Sequence, residues 1–221
     1  MDPQAKDVDA YIEFASAKGM AIKYVIDTHI QADHLSGGVR LAQVTGADYC
    51  LHESADVSFD FTAFTDNKDL DLGNVAIKVL HTPGHTPGHT PESISLLVTD
   101  KTRGPEPWFM LTGDTLFVGA VGRPDLPGNA EESAALLYKS LQEKILTLPE
   151  ALEIYPGHFS GSVCGAGMSG KASSTLAFEK RWNPALTLDR AAFIEKMTSG
   201  TPPKPADIDL FLHANRTGRS Q

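Results

Sequence analysis

The 221-residue chain, 41% of it hydrophobic, is long enough to bury a sizeable core in one large domain or two small ones. Its formal charge of −9 and its lack of a basic cluster argue against a nucleic-acid partner, since such binders neutralise phosphates with a positive excess. No run approaches the roughly 18 apolar residues of a membrane helix, and Met1-Asp-Pro-Gln-Ala-Lys lacks the apolar centre of a signal peptide, so a soluble cytoplasmic protein with no membrane contact is expected.

Along the chain, Val8, Tyr11, Ile12 and Ala15 fall at helical spacing between Val8 and Lys18, and Gly19 follows as a stop. Lys23 to Asp27 reads as a short buried strand, and Leu35 to Val44 as a helix ending at Gly46; His29 to His34 is therefore a loop between them. Tyr49 to His52, Val75 to Leu80, Ile94 to Val98 and Trp108 to Leu111 are rich in β-branched and aromatic residues and predict further strands. Glu131 to Lys144 predicts a helix, Leu152 to Tyr155 a brief strand, and Ser173 to Arg181 and Arg190 to Met197 late helices. From Ser199 onward, Pro202, Pro203 and Pro205 suggest an extended tail over 199–221. Strands alternating with helices indicate an α/β layered fold, expected here as one domain over 1–221.

Chemistry is concentrated in the loops. Seven of the eight histidines lie between His29 and His158, mostly beside Gly, Pro, Thr or Asp. Thr28-His-Ile-Gln-Ala-Asp-His34 packs two imidazoles and a carboxylate into one loop, which suits Zn or Fe. Thr86-Pro-Gly-His89, Leu111-Thr-Gly-Asp114 and Tyr155-Pro-Gly-His158 each place a His or Asp near the end of a strand candidate. The tandem tetrapeptide His81-Thr-Pro-Gly, His85-Thr-Pro-Gly, His89-Thr-Pro-Glu carries too many prolines for a strand and must be loop. Any one of these histidines alone reads as a solvated side chain; four such motifs in one chain read as a metal site. Cys50 and Cys164 are the only cysteines, too few for a disulfide framework or a thiolate zinc site.

In order and spacing these motifs resemble the metallo-β-lactamase superfamily, whose signature runs Thr-His-x-His-x-Asp-His, Gly-His, Gly-Asp and a late Gly-His. The likeness extends from Asp2 to about Asn215. Asp2-Pro-Gln, the Thr28 motif, Gly122-Arg-Pro-Asp125 and Tyr155-Pro-Gly-His158 look like its persulfide dioxygenase branch, with the glyoxalase II branch nearby. The resemblance implies an αββα sandwich and a first metal held by His29, one of His85 or His89, and Asp114. Asp33, His34 and His158 would match the second metal position of the hydrolytic relatives. His89 is preferred over His85, because Thr90 to Ser93 joins it to the next strand without a gap and the extra tetrapeptide is absorbed upstream.

Gln31 stands where the signature usually has His, so a three-histidine first site cannot assemble, and a neutral amide is a poor zinc ligand. Two histidines and one carboxylate remain, the ligand set of non-haem Fe(II) oxygenases. The expectation is one Fe(II) per chain acting with O₂ on a small thiol-derived persulfide such as glutathione persulfide; two Zn(II) per chain cleaving an acyl-glutathione thioester is the alternative, and a non-catalytic binding domain the third reading. Arg123 is expected either to hold a substrate carboxylate or to pair with Asp125, and Tyr155 to line the pocket mouth with Phe159, Ser160, Ser162 and Cys164. Lys171, Lys180 and Arg181 could attract an anionic substrate. Family members generally open with a strand pair ending at an Asp-Pro element, where Met1-Asp-Pro begins, so an uncovered sheet edge and room for a homodimer are expected.

Overall fold

The apolar run before the first histidine motif forms β1 (Tyr24–Ile26) in the computed structural model, which describes residues 1–85, 90–124, 129–159, 167–199 and 207–219. The chain divides into two units: Met1–Phe64 with Lys204–Gln221, and Thr65–Pro203.

In the first unit, helix α1 (Val8–Ala17) buries Val8 completely, and Gly19 takes the left-handed conformation that ends it. After β1 come α2 (Gly38–Thr45), which stops at the left-handed Gly46, then β2 (Asp48–His52) and β3 (Thr62–Phe64). The three strands are parallel with β2 central, so Cys50 and Leu51 are buried at its middle. Burial pushes the Cys50 thiol up to about 12, which keeps it protonated and inert.

Among the described residues the second unit is built on six strands in chain order: β4 (Asp69–Leu72), β5 (Val75–His81), β6 (Ile94–Asp100), β7 (Phe109–Gly113), β8 (Glu153–Pro156) and β9 (Ser174–Thr175). All neighbours are antiparallel except β7 and β8. Two antiparallel steps from β5 to β7 and one parallel step to β8 leave the C-terminal ends of β5, β7 and β8 at the same edge of the sheet. This follows from topology alone, and it is the property that matters for the site.

Helix α3 (Ala130–Ser140) is capped by the Asn129 side chain, which accepts from Glu132 N. The helix expected to run on to Lys144 instead widens into a π-helical turn over Leu141–Ile145, closed by Leu146 N donating to Leu141 O at 2.8 Å. That turn presents Lys144 to Asp66 and to the His81 carbonyl at 2.8 and 2.7 Å. Leu137, Leu141 and Ile145 pack with Leu80, Leu97, Met110 and Ile154 of the sheet, and with Leu176 of α4 (Leu176–Trp182) and Phe193 of α5 (Arg190–Thr198).

Two expectations need correction. Ser174 and Thr175 pair with β8 as strand rather than starting the helix, whose N-cap is Thr175. The end of the chain is not wholly extended either: Ile208–Thr217 forms α6, which belongs to the first unit and buries Ile208, Leu212 and Asn215 at helical spacing. The three tail prolines all precede this helix in sequence and lie outside the described residues. Among the described residues no helix is long and apolar enough to cross a membrane.

Candidate metal centre

In the second unit, His85 follows β5 through Thr82-Pro-Gly84, Asp114 directly follows β7, and His158 follows β8. Shared strand ends bring all three together. His85 Nε2 lies 3.4 Å from Asp114 Oδ2, and His158 Nδ1 bonds Asp114 Oδ1 at 2.7 Å. His85 and Asp114 are each 3% exposed, so this is a desolvated imidazole–carboxylate pair.

A lattice of hydroxyls under the pair joins three adjacent strands. Thr82 Oγ1 is 3.0 Å from both Ser95 Oγ and Thr115 Oγ1, while Ser95 donates to Thr112 O and Thr112 to Leu116 O. All four side chains are buried. Backbone contacts complete the support. A Cβ on Gly122 would stand 2.0 Å from Asp114 O and 2.8 Å from His85 Nδ1, so only a glycine lets this strand of chain close on the pair. Gly84, at φ +122, approaches α3 so closely that a Cβ would meet Leu137 N at 2.2 Å, and Ser140 donates to Pro83 O from the same helix. Residues that help to position His85 thus sit on α3, which sequence motifs do not mark; the one signal for the lattice was a threonine beside each of His29, His85, His89 and Asp114.

The first unit holds its own set. His29, 3% exposed, ends the link from β1, and Asp33 accepts from or pairs with His34 Nδ1 at 2.9 Å. The loop they share is fastened by Asn215 of α6, whose Nδ2 donates to Gln31 O and His34 O at 2.8 Å each and whose Oδ1 accepts from Ser36 N at 2.9 Å. Asp27 below it accepts from Ser36 at 2.5 Å and Tyr49 at 2.7 Å. Burial raises the Asp27 carboxyl above its ordinary range, against the opposing effect of those two hydroxyls, and burial with the nearby Asp27 charge raises Asp2 likewise.

A family model for the metallo-beta-lactamase superfamily matches residues 3–158. The chain belongs to that superfamily. Persulfide dioxygenase ETHE1 of Homo sapiens is 29% identical over 216 residues, covering 97% of this chain and 76% of the relative. The crystal structure of ETHE1 from Myxococcus xanthus superposes with a TM-score of 0.82 at 31% identity, covering 98% of this chain and 86% of that one. A metallo-beta-lactamase structure from Staphylococcus aureus gives a TM-score of 0.89 at 36% identity; this chain covers 98% of itself there but spans only 64% of that protein. The fold is therefore the mixed α/β fold of this superfamily, and the chain is a metal-dependent enzyme of it.

The residues present fit a metal. Two donors about 2.1 Å from one ion, at tetrahedral or octahedral angles, stand about 3.0–3.4 Å apart, and His85 Nε2 and Asp114 Oδ2 meet that separation. His89, the preferred loop imidazole on sequence grounds, lies outside the described residues, as do Asp125, Ser160, Ser162 and Cys164. Arg123 is 8% exposed and directly follows Gly122, which touches His85 and Asp114. Tyr155 sits half-exposed; its hydroxyl donates to Glu153 at 2.7 Å, which raises its pKa, and its ring meets Phe109 edge-on. Phe159 is exposed, Lys180 pairs with Glu150 at 3.4 Å, and Arg181 stacks on Trp182.

Proposed function

We propose that this chain is a non-haem iron persulfide dioxygenase that converts a glutathione-like persulfide to sulfite and thiol with one Fe(II); His85 and Asp114 are its ligands in the second unit, and the family motif makes His29 a ligand as well. The observation that carries this reading is the division of labour on Asp114: Oδ1 is engaged by His158, and Oδ2 faces His85. A carboxylate held in this way keeps one oxygen turned towards His85, where the two can ligate the same ion.

Bound iron would supply the oxygen chemistry, by which the outer persulfide sulfur gains both atoms of O₂ and one oxygen from water while the thiol leaves. The protein's part is geometric. Asp114, fixed by His158, presents a carboxylate in one orientation, and the hydroxyl lattice keeps the strand ends from spreading. Arg123 is suited to anchor a substrate carboxylate through its planar fork. The name and likeness of the ETHE1 relatives support the same substrate class.

The dinuclear zinc thioesterase is the second reading, favoured by the retention of Asp33, His34 and His158. Metal analysis of protein purified without added zinc separates the two. About one iron per chain together with O₂ uptake on glutathione persulfide is expected; about two zinc and acyl-glutathione hydrolysis would overturn the proposal.

A further inference from the structure

The environment of His29 contains an ordered chain of acceptors and donors lying wholly within the first unit. The Asp2 carboxylate accepts from Thr28 N at 2.6 Å and from Gln31 Nε2 at 3.0 Å, both on Oδ1. Thr28 Oγ1 donates to the same carboxylate, 3.2 Å from Oδ1 and 3.1 Å from Oδ2. The same hydroxyl stands 3.0 Å from His29 Nδ1. Thr28, His29 and Gln31 are 1–3% exposed, so water does not substitute for these partners.

A hydroxyl has a single proton. A carboxylate gathering an amide N–H, a side-chain NH₂ and a hydroxyl acts as acceptor, so the Thr28 proton points to Asp2. The Thr28 oxygen then has only lone pairs to offer His29, and Nδ1 must carry the ring proton. This leaves Nε2 as the electron-pair donor of the ring, the form an imidazole needs in order to ligate a metal.

Resting on the reading of His29 as a ligand, we propose that Asp2 and Thr28 form a carboxylate–hydroxyl relay that holds His29 in its Nδ1–H tautomer. Gln31 is a positioning residue of this relay rather than a degraded metal ligand. Its amide nitrogen holds the Asp2 carboxylate in place across the turn, and Asp2 reaches the loop because it adopts φ 45, which brings its backbone N to Ile26 O at 2.8 Å. The signature departure at position 31 thereby acquires a structural purpose in this chain.

Long-range ¹H–¹⁵N spectra of the metal-free 221-residue chain test the relay without any turnover. The expected pattern for His29, assigned by its loss in His29→Gln, is a protonated Nδ1 and a bare Nε2. In Asp2→Asn the new amide can donate to Thr28, whose proton then turns to Nδ1, and the ring is expected to switch to Nε2–H. Co(II) titration followed by visible absorption gives the second readout. Thr28→Val should weaken binding about 10- to 100-fold and Thr28→Ser should restore it. An Nε2–H tautomer in the unsubstituted protein, or equal Co(II) affinity for Thr28→Val and the parent, would overturn the proposal. An intact tautomer and a Thr28→Val defect in a protein that oxidises no persulfide would uphold the relay and sink the assigned reaction, so the two ideas fail separately.

Discussion

In the second unit the metal-type side chains are held by their neighbours: Thr82, Ser95, Thr112 and Thr115 link adjacent strands, and Gly122 folds directly onto His85 and Asp114. In the first unit the corresponding loop over 27–36 is held by residues from opposite ends of the chain, Asp2 on one side and Asn215 on the other. Similar side chains are thus ordered by two different physical means. A sheet edge is rigid because its hydrogen-bond ladders are, whereas a loop tied by side chains is only as firm as a few buried polar contacts. The teaching of the contrast is that the second unit should fail by steric crowding and the first by loss of single hydrogen-bonding groups.

The largest effect is expected at Gly122. Gly122→Ala forces a methyl into the Asp114 carbonyl and the His85 ring, where neither backbone nor buried imidazole can retreat, and should cost about 3 kcal/mol or more of stability together with metal binding. Thermal melting and metal content of the purified variant check this; a variant that melts like the parent would show that the sheet edge is softer than described. Asn215→Ala comes next. It strands Ser36 N and two buried carbonyls, an expected loss of about 2–3 kcal/mol by chemical denaturation, with hydrogen exchange rising over residues 29–36 and not at β5 or β7. Equal exchange in both regions would erase the distinction between the two units.

The smallest effect concerns Asp66. Burial alone would raise its carboxyl, but the Lys144 hydrogen bond, the His81 N–H and their charges together lower it below 3.8. A depressed carboxylate contributes stability above its unfolded pKa and loses it as pH falls through the folded value. Both partners are about one-third exposed, so Asp66→Asn should cost only about 0.5 kcal/mol near pH 7, and the difference from the parent should shrink as pH falls below the ordinary carboxylate range. A gap that does not change with pH would assign Asp66 a packing role instead.

Much of this arrangement could be read from residue order. The strands before His29, Asp114 and His158 announce themselves by β-branched and aromatic runs, and Gly46 marks the end of α2. The short strands β3 and β4 do not: Thr62-Ala-Phe64 and the acidic Asp69-Leu-Asp-Leu72 become strands through pairing with their neighbours rather than by propensity. The tandem repeat presents His85 and His89 in near-identical local sequence; His85 stands 3.4 Å from Asp114, and His89 lies outside the described residues. Helix α6 was hidden by the prolines before it. Asn215 was invisible for a different reason, since a side chain bonding a carbonyl 184 residues away leaves no periodic trace.

That distant bond has a consequence for biogenesis. The 27–36 loop leaves the ribosome well before the asparagine that fastens it, whose two carbonyl partners lie 184 and 181 residues back along the chain. Metal capture that relies on the fastened loop must then wait until α6 has been made, and a nascent chain stalled before α6 would present its imidazoles without that fastening.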